Sequence, residues 1–208
     1  MGRHTILNWT GLSFNWNDRD VVVVASGPSA AATDFGFVRG RAQVLAVSLS
    51  WRLVPWADAL FSSDQFWWVA NNGCPDFAGR KFTSSPYAAK RYGLDVVWTT
   101  GNNSGLRAIH LAKVLGARRV LLIGFDMHAR DGLHWHEPHP KGLFNPSKAG
   151  MRLWCDEVHA AAKRLSGVIN CTPGSALQCF PTMSLEEAFN GVNRIQSGTD
   201  QSRHCAVS

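Results

Sequence analysis

The chain lacks most of the features that would take it out of the ordinary globular class. Its five cysteines, Cys74, Cys155, Cys171, Cys179 and Cys205, form no C-x-x-C pair and are odd in number. No secretory leader is legible near the start, where Arg3 and His4 precede no sustained apolar stretch. These absences argue against a disulfide framework and give reduced thiols and a cytoplasmic setting as the expectation. Apolar runs such as residues 21–25 are far too short to cross a bilayer. There is no internal repeat and no low-complexity tract. A basic helix or arginine-rich run is also missing. The positive clusters are short, as at Arg39–Arg41, Lys90-Arg91 and Arg118-Arg119. That argues against a dedicated nucleic-acid module and leaves nucleic acid a place only as an acceptor.

What is present fits one compact domain. At 208 residues, with 45% hydrophobic and 17% charged residues, the chain is long enough to bury a core but short for two. Its net charge of +6 favours an anionic partner such as a nucleotide or phosphate. Nine tryptophans supply large apolar faces for core and pocket walls alike.

Residues 21–25 are four valines and an alanine, the β-branched run expected of a strand buried on both faces of a parallel sheet. Residues 44–47, 59–62, 120–123 and 168–170 read the same way, and 96–98 is a weaker candidate. Between them, Ala108, Leu111, Ala112 and Leu115 recur at helical spacing, with Asn103 or Ser104 as cap and Gly116 as stop. A helix over about 150–165 and a capping box from Ser184 to Glu187 follow. Strands alternating with helices predict an α/β fold: a doubly wound, mostly parallel, Rossmann-like sheet in a single domain with a lid loop. The domain is expected over 20–190, after an extension at 1–19 and before a flexible tail at 191–208. Residues 128–150, rich in His, Gly and Pro and without periodicity, are the expected lid.

Ligands of open parallel sheets bind beyond the carboxyl ends of the strands, so residues there are the candidates. After the first strand come Ser26, Gly27, Pro28 and Ser29, where Gly27 permits close backbone approach and Ser29 is placed to cap a helix and touch phosphate. Ser48 follows the second strand. Asp64 follows the third, as a ribose, sugar or cation ligand or as a simple helix cap. Gly101, Asn102, Asn103 and Ser104 open the best helix and present an anion-friendly surface. Asp126 ends the next strand, as a catalytic candidate facing the crevice or as an acid satisfied by a loop amide. His134, His136 and His139 lie in the lid; one of them as a catalytic base fits better than a metal site, because their spacing matches no firm zinc signature. Thr172 and Ser175 follow the last strand, as phosphate or base contacts or as a polar turn.

In that order, Ser26-Gly27-Pro28-Ser29, Thr100-Gly101-Asn102-Asn103-Ser104, the strand ending at Asp126, the histidine lid and the segment 170–177 resemble a superfamily of Rossmann-like enzymes. It contains small bacterial sialyltransferases and 6-hydroxymethylpterin diphosphokinase-like proteins, and the chain is most similar to compact phage and prophage versions, whose setting would be the host cytoplasm. The sialyltransferase branch implies a nucleotide sugar held by Gly27, Pro28, Ser29, Gly101 and Asn102, with a lid histidine deprotonating the acceptor. Ser48 stands where that branch has an asparagine, and no lid tyrosine matches those that assist phosphate departure. The diphosphokinase-like branch implies magnesium on Asp64 and Asp126, with phosphates at the Gly101–Ser104 loop. The expectation is therefore a glycosyltransferase-like enzyme with a nucleotide-activated donor, inverting by direct displacement and requiring no cofactor. The alternatives are a magnesium-dependent pyrophosphoryl or nucleotidyl transferase and a non-catalytic nucleotide-binding phage factor.

Overall fold

In the computed structural model the described residues are 14–190. The expected tail at 191–208, and residues 1–13 of the expected extension, lie outside them. Seven strands, β1 (Asp20–Val24), β2 (Gln43–Val47), β3 (Ala59–Ser62), β4 (Arg80–Thr83), β5 (Asp95–Val96), β6 (Arg119–Ile123) and β7 (Val168–Asn170), form one sheet in the order β5-β4-β3-β2-β1-β6-β7. Every pairing is parallel. The sheet is the doubly wound, Rossmann-like one that the sequence predicts.

The strands alternate their side chains between two buried faces. Val21, Val23, Leu45, Phe61 and Leu122 point to a layer made by α3 (Ser104–Val114) and α4 (Lys148–Ala162), which contribute Ile109, Leu111, Cys155 and Val158. Val22, Val24, Ala46, Leu60 and Leu121 point the other way, to α1 (Gln65–Ala70), α2 (Pro86–Tyr92) and α5 (Leu185–Asn190), which bring Trp67, Trp68, Ala88 and Leu185. A strand buried on both sides must be apolar throughout, which is why four valines occupy β1.

The chain runs outward from β1 to β5, then returns to lay β6 against the other edge of β1. The two connections leaving β1 and β6 thus diverge, and the crevice between them is where ligands of such sheets bind.

Three sequence expectations need correction. No α-helix follows β1: the chain makes two 3-10 turns, Pro28–Ala32 and Gly36–Val38, before β2. Ser29 therefore lies inside the first turn and caps nothing. The candidate strand at 96–98 shrinks to Asp95–Val96, and β4 and α2, unforeseen, fill the space between β3 and β5. The predicted capping box is present: the Ser184 hydroxyl accepts from Glu187 N at 3.1 Å, and Ser184 N donates back to Glu187 Oε2 at 2.8 Å. Among the described residues, no helix is long and apolar enough to cross a membrane.

Candidate functional site

A cleft of about 380 Å³ opens at the carboxyl ends of β1, β2, β3 and β6, roofed by the lid and by α4. That volume suits a small organic ligand. Its floor is the switch point itself. Ala25 N donates to Ile123 O at 2.8 Å and Gly27 N to Gly124 O at 2.9 Å, so the strand pairing continues into the turn. A Cβ on Gly27 would collide with the Asp126 carboxylate and lie 2.5 Å from the Gly124 carbonyl oxygen. Only glycine fits there, and the reason is packing rather than a positive φ.

Asp126 is buried (4% exposed) and its charge is spent on this turn. Ser29 donates its N–H to Oδ1 at 3.1 Å and its hydroxyl to Oδ2 at 2.9 Å. The reading of Asp126 as an acid satisfied by a loop amide is the one the geometry matches. Ser29 faces Asp126 and is not among the residues lining the cleft; nor is Pro28.

The next wall is a row of serines. Ser26 Oγ and Ser50 Oγ are 3.2 Å apart, Ser48 Oγ donates to Ser62 Oγ at 3.3 Å, and Ser63 Oγ and Ser104 Oγ are 2.9 Å apart. Ser48 holds φ at 50° and Met127 at 55°. Both line the cleft, and non-glycine residues in the left-handed region concentrate at functional sites. Asn103 caps α3 through Leu106 N (2.9 Å), leaving its buried Nδ2 without a partner. By helix geometry the Ser104 and Gly105 amides have no intrahelical acceptor, and both residues line the cleft beside the positive end of the helix dipole. Asp64 also lines the cleft, while its Oδ1 caps α1 through Phe66 N (2.8 Å).

The lid closes the opposite side. Trp135 pins it down: its N–H donates to Ser26 O at 3.0 Å and its indole N–H to Ser50 Oγ at 3.4 Å. This fixes the three lid imidazoles in a cluster, with His134 and His136 stacked at 4.8 Å and His139 4.9 Å from His136. Burial, reinforced by His136 and His139, pushes His134 down to about 4 against a hydrogen bond to the Ser26 backbone. Burial also lowers His136, joined by the charge of Arg52 and opposed by a bond to the Glu137 carbonyl. His139 is lowered by burial and by His136, while Asp64 across the cleft pulls it back up. His134 and His139 line the cleft; His136 does not. The Nε2 atoms of His134 and His136 are buried without partners.

The structure thus gathers Ser26, Gly27, Ser48, Asp64, Asn102, Asn103, Ser104, Asp126, His134 and His139 around one space. It leaves out Gly101, Thr172 and Ser175. Thr172 Oγ1 accepts from Phe125 N and donates to Leu122 O, and Ser175 Oγ donates to Phe125 O at 2.6 Å. Both hydroxyls are consumed in joining the β6 and β7 loops, as in a polar turn. Asn102 reaches the cleft, but its N–H and its Nδ2 donate to the Glu157 carboxylate at 3.0–3.1 Å. Of the two candidate cation ligands, Asp126 has a Ser29 donor on each oxygen, while Asp64 has the Phe66 amide on Oδ1 alone. Among the described residues, no group of three His, Cys, Asp or Glu side chains is arranged to hold a metal ion.

Several site residues carried no legible signal. His128 is buried (3% exposed) in the cleft wall, donating from Nε2 to Gly174 O at 3.2 Å. Trp154 comes from α4 and Phe144 and Leu143 from the lid, while Glu157, outside the lining, holds the cleft residue Asn102. Among the described residues, no lysine or arginine lines the cleft. The basic surplus lies elsewhere, so an anion here would meet amides and hydroxyls.

Comparison with protein-family models and with curated proteins returns no match. Fold and cleft together define the class: an α/β protein with a Rossmann-like parallel sheet and a lidded cleft of small-molecule size at its topological switch point.

Proposed function

We propose that the protein is a glycosyltransferase-like enzyme that moves an activated group from a nucleotide donor to an acceptor hydroxyl, with His139 as general base. The observation that carries this reading is that one cleft is lined both by the α3 amino terminus and by the His139 imidazole, whose protonated form Asp64 favours from across the space.

The chemistry divides accordingly. The acceptor oxygen attacks the activated carbon while its proton passes to His139. The carbon–oxygen bond to the donor phosphate breaks on the far side, and the phosphate leaves with the electron pair. In-line displacement inverts the carbon. The Ser104 and Gly105 amides are placed to meet the charge growing on the departing phosphate. His139 is chosen over its neighbours on three grounds. It lines the cleft, unlike His136. Its ring nitrogens are not among the buried, partnerless atoms. Asp64 favours its protonated form, and no carboxylate does the same for His134.

The test is a thermal-shift and calorimetric screen of nucleotides and nucleotide sugars, with and without magnesium, followed by transfer assays. Stabilisation by a nucleotide sugar, and loss of transfer by about 10²- to 10⁴-fold in His139→Gln with binding retained, is the expected result. No stabilisation by any nucleotide overturns the reading. A strict need for magnesium, abolished alike by Asp64→Asn and Asp126→Asn, would assign pyrophosphoryl transfer instead. Tight nucleotide binding without product from any acceptor would assign a binding module.

A further inference from the structure

The cleft has two chemically distinct ends. One is the serine row and the α3 start. The other is apolar: Leu143, Phe144 and Pro146 from the end of the lid, and Met151 and Trp154 from the first turns of α4. Phe144 and Trp154 meet with ring centroids 5.8 Å apart and planes inclined at 53°. Yet Phe144 is 63% exposed, so most of its face is turned to solvent at the cleft rim. A large aromatic left open beside a half-buried indole costs hydrophobic free energy that a flat ligand ring would recover.

The spacing to the polar end is fixed by α4. Trp154 lies three residues before Glu157, roughly 4.5 Å along the helix axis and on the same face. The Glu157 carboxylate grips the Asn102 amide at 3.0–3.1 Å, which anchors that face of α4 to the start of α3. Through that contact the face of α4 that carries Trp154 is joined to the segment that opens α3, and the aromatic shelf and the Ser104 and Gly105 amides line the same cleft.

Resting on the transferase reading, we infer that Phe144 and Trp154 form the nucleobase subsite, stacking the donor's flat heteroaromatic ring while its phosphate sits at Ser104 and Gly105. Recognition by stacking needs no cationic side chain, in keeping with a cleft lined by none. The aromatic shelf would supply most of the base's affinity.

The experiment is calorimetric titration of the full chain with the four nucleoside 5′-monophosphates and with ribose 5-phosphate. Variants are Phe144→Ala, Phe144→Leu and Phe144→Tyr; because the side chain is mostly exposed, its truncation leaves the core intact. The expected result is that nucleotide Kd rises about tenfold or more in Phe144→Ala. It should stay weak in Phe144→Leu, which keeps apolar area without a flat face, and recover in Phe144→Tyr. Ribose 5-phosphate should bind all four proteins alike and more weakly than the nucleotides bind the native chain. Unchanged nucleotide Kd in Phe144→Ala, with native binding intact, overturns the subsite and leaves the transferase reading standing. A loss seen only for an aryl-bearing acceptor overturns it too, by giving the shelf to the acceptor. No nucleotide binding by the native chain is the separate result that brings down the transferase reading, and the subsite with it.

Discussion

Asp126 holds Ser29 from across the switch point, receiving its N–H on Oδ1 at 3.1 Å and its hydroxyl on Oδ2 at 2.9 Å. Two connections that leave the sheet in opposite directions are thus tied at the cleft floor by one buried carboxylate. The tie does for the β1 turn what a following α-helix would do in the commoner form of this fold.

The first prediction concerns that tie. Hydrogen bonds to a charged group contribute about 1.5–3 kcal/mol, so Asp126→Ala should lower unfolding stability by roughly that amount. Ser29→Ala keeps the N–H bond and should cost about 1 kcal/mol. Urea unfolding of both variants and of the double variant checks this. The double should cost less than the sum of the singles, because each removes part of the same interaction.

Gly27 gives the second. A Cβ there has no room between the Asp126 carboxylate and the Gly124 carbonyl. Gly27→Ala should destabilise the protein by about 1–3 kcal/mol, the usual cost of overpacking, and should shift the serine wall enough to weaken ligand binding. Thermal unfolding and titration with the best ligand report the two effects separately.

The third is a pH dependence. His134 sits near 4 in the folded protein, against an ordinary value of 6.5, and His136 and His139 are also lowered. A depressed histidine binds protons more readily when the chain is unfolded, so its contribution is complete above about 6.5 and is lost as pH falls toward 4. The melting temperature should therefore fall across that window, with the lid losing protection from hydrogen exchange first. His134→Phe, which cannot take up a proton, should flatten the dependence.

Much of the fold was legible because burial on both faces forces an unmistakable composition. The valines of β1 and the apolar runs of β2, β3 and β6 admit one reading. β4 was not legible, because Arg80-Lys81-Phe82-Thr83 lies toward the edge of the sheet, where Arg80 is free to pair with Asp95 at 2.8 Å. The turn after β1 misled for a different reason. Its alanines favour a helix, but Asp126 takes the Ser29 amide and Thr33 Oγ1 bonds back to Ser29 O at 3.1 Å, which closes a shorter turn.

At the site, strand ends were readable and the use of each polar group was not. Thr172 and Ser175 look like ligand contacts until the amide and carbonyl groups they satisfy in the neighbouring loop are known. Glu157 and Trp154 read as ordinary positions of an amphipathic helix. Only tertiary packing, through the Asn102 amide, brings that helix to the cleft.

The position of β1 also governs how the protein must be made. Its pairing with β2 is local, but its other edge waits for β6, with Asp20 opposite Arg119 and Val24 opposite Ile123. During synthesis the four-valine strand therefore has one side open until the chain from Val24 to Arg119 has emerged. Pairings that join such distant segments form slowly. An open valine edge in the interval is a template for the wrong partner. Yield on expression should then depend on the pace of translation and on chaperone supply more than on the stability of the finished fold.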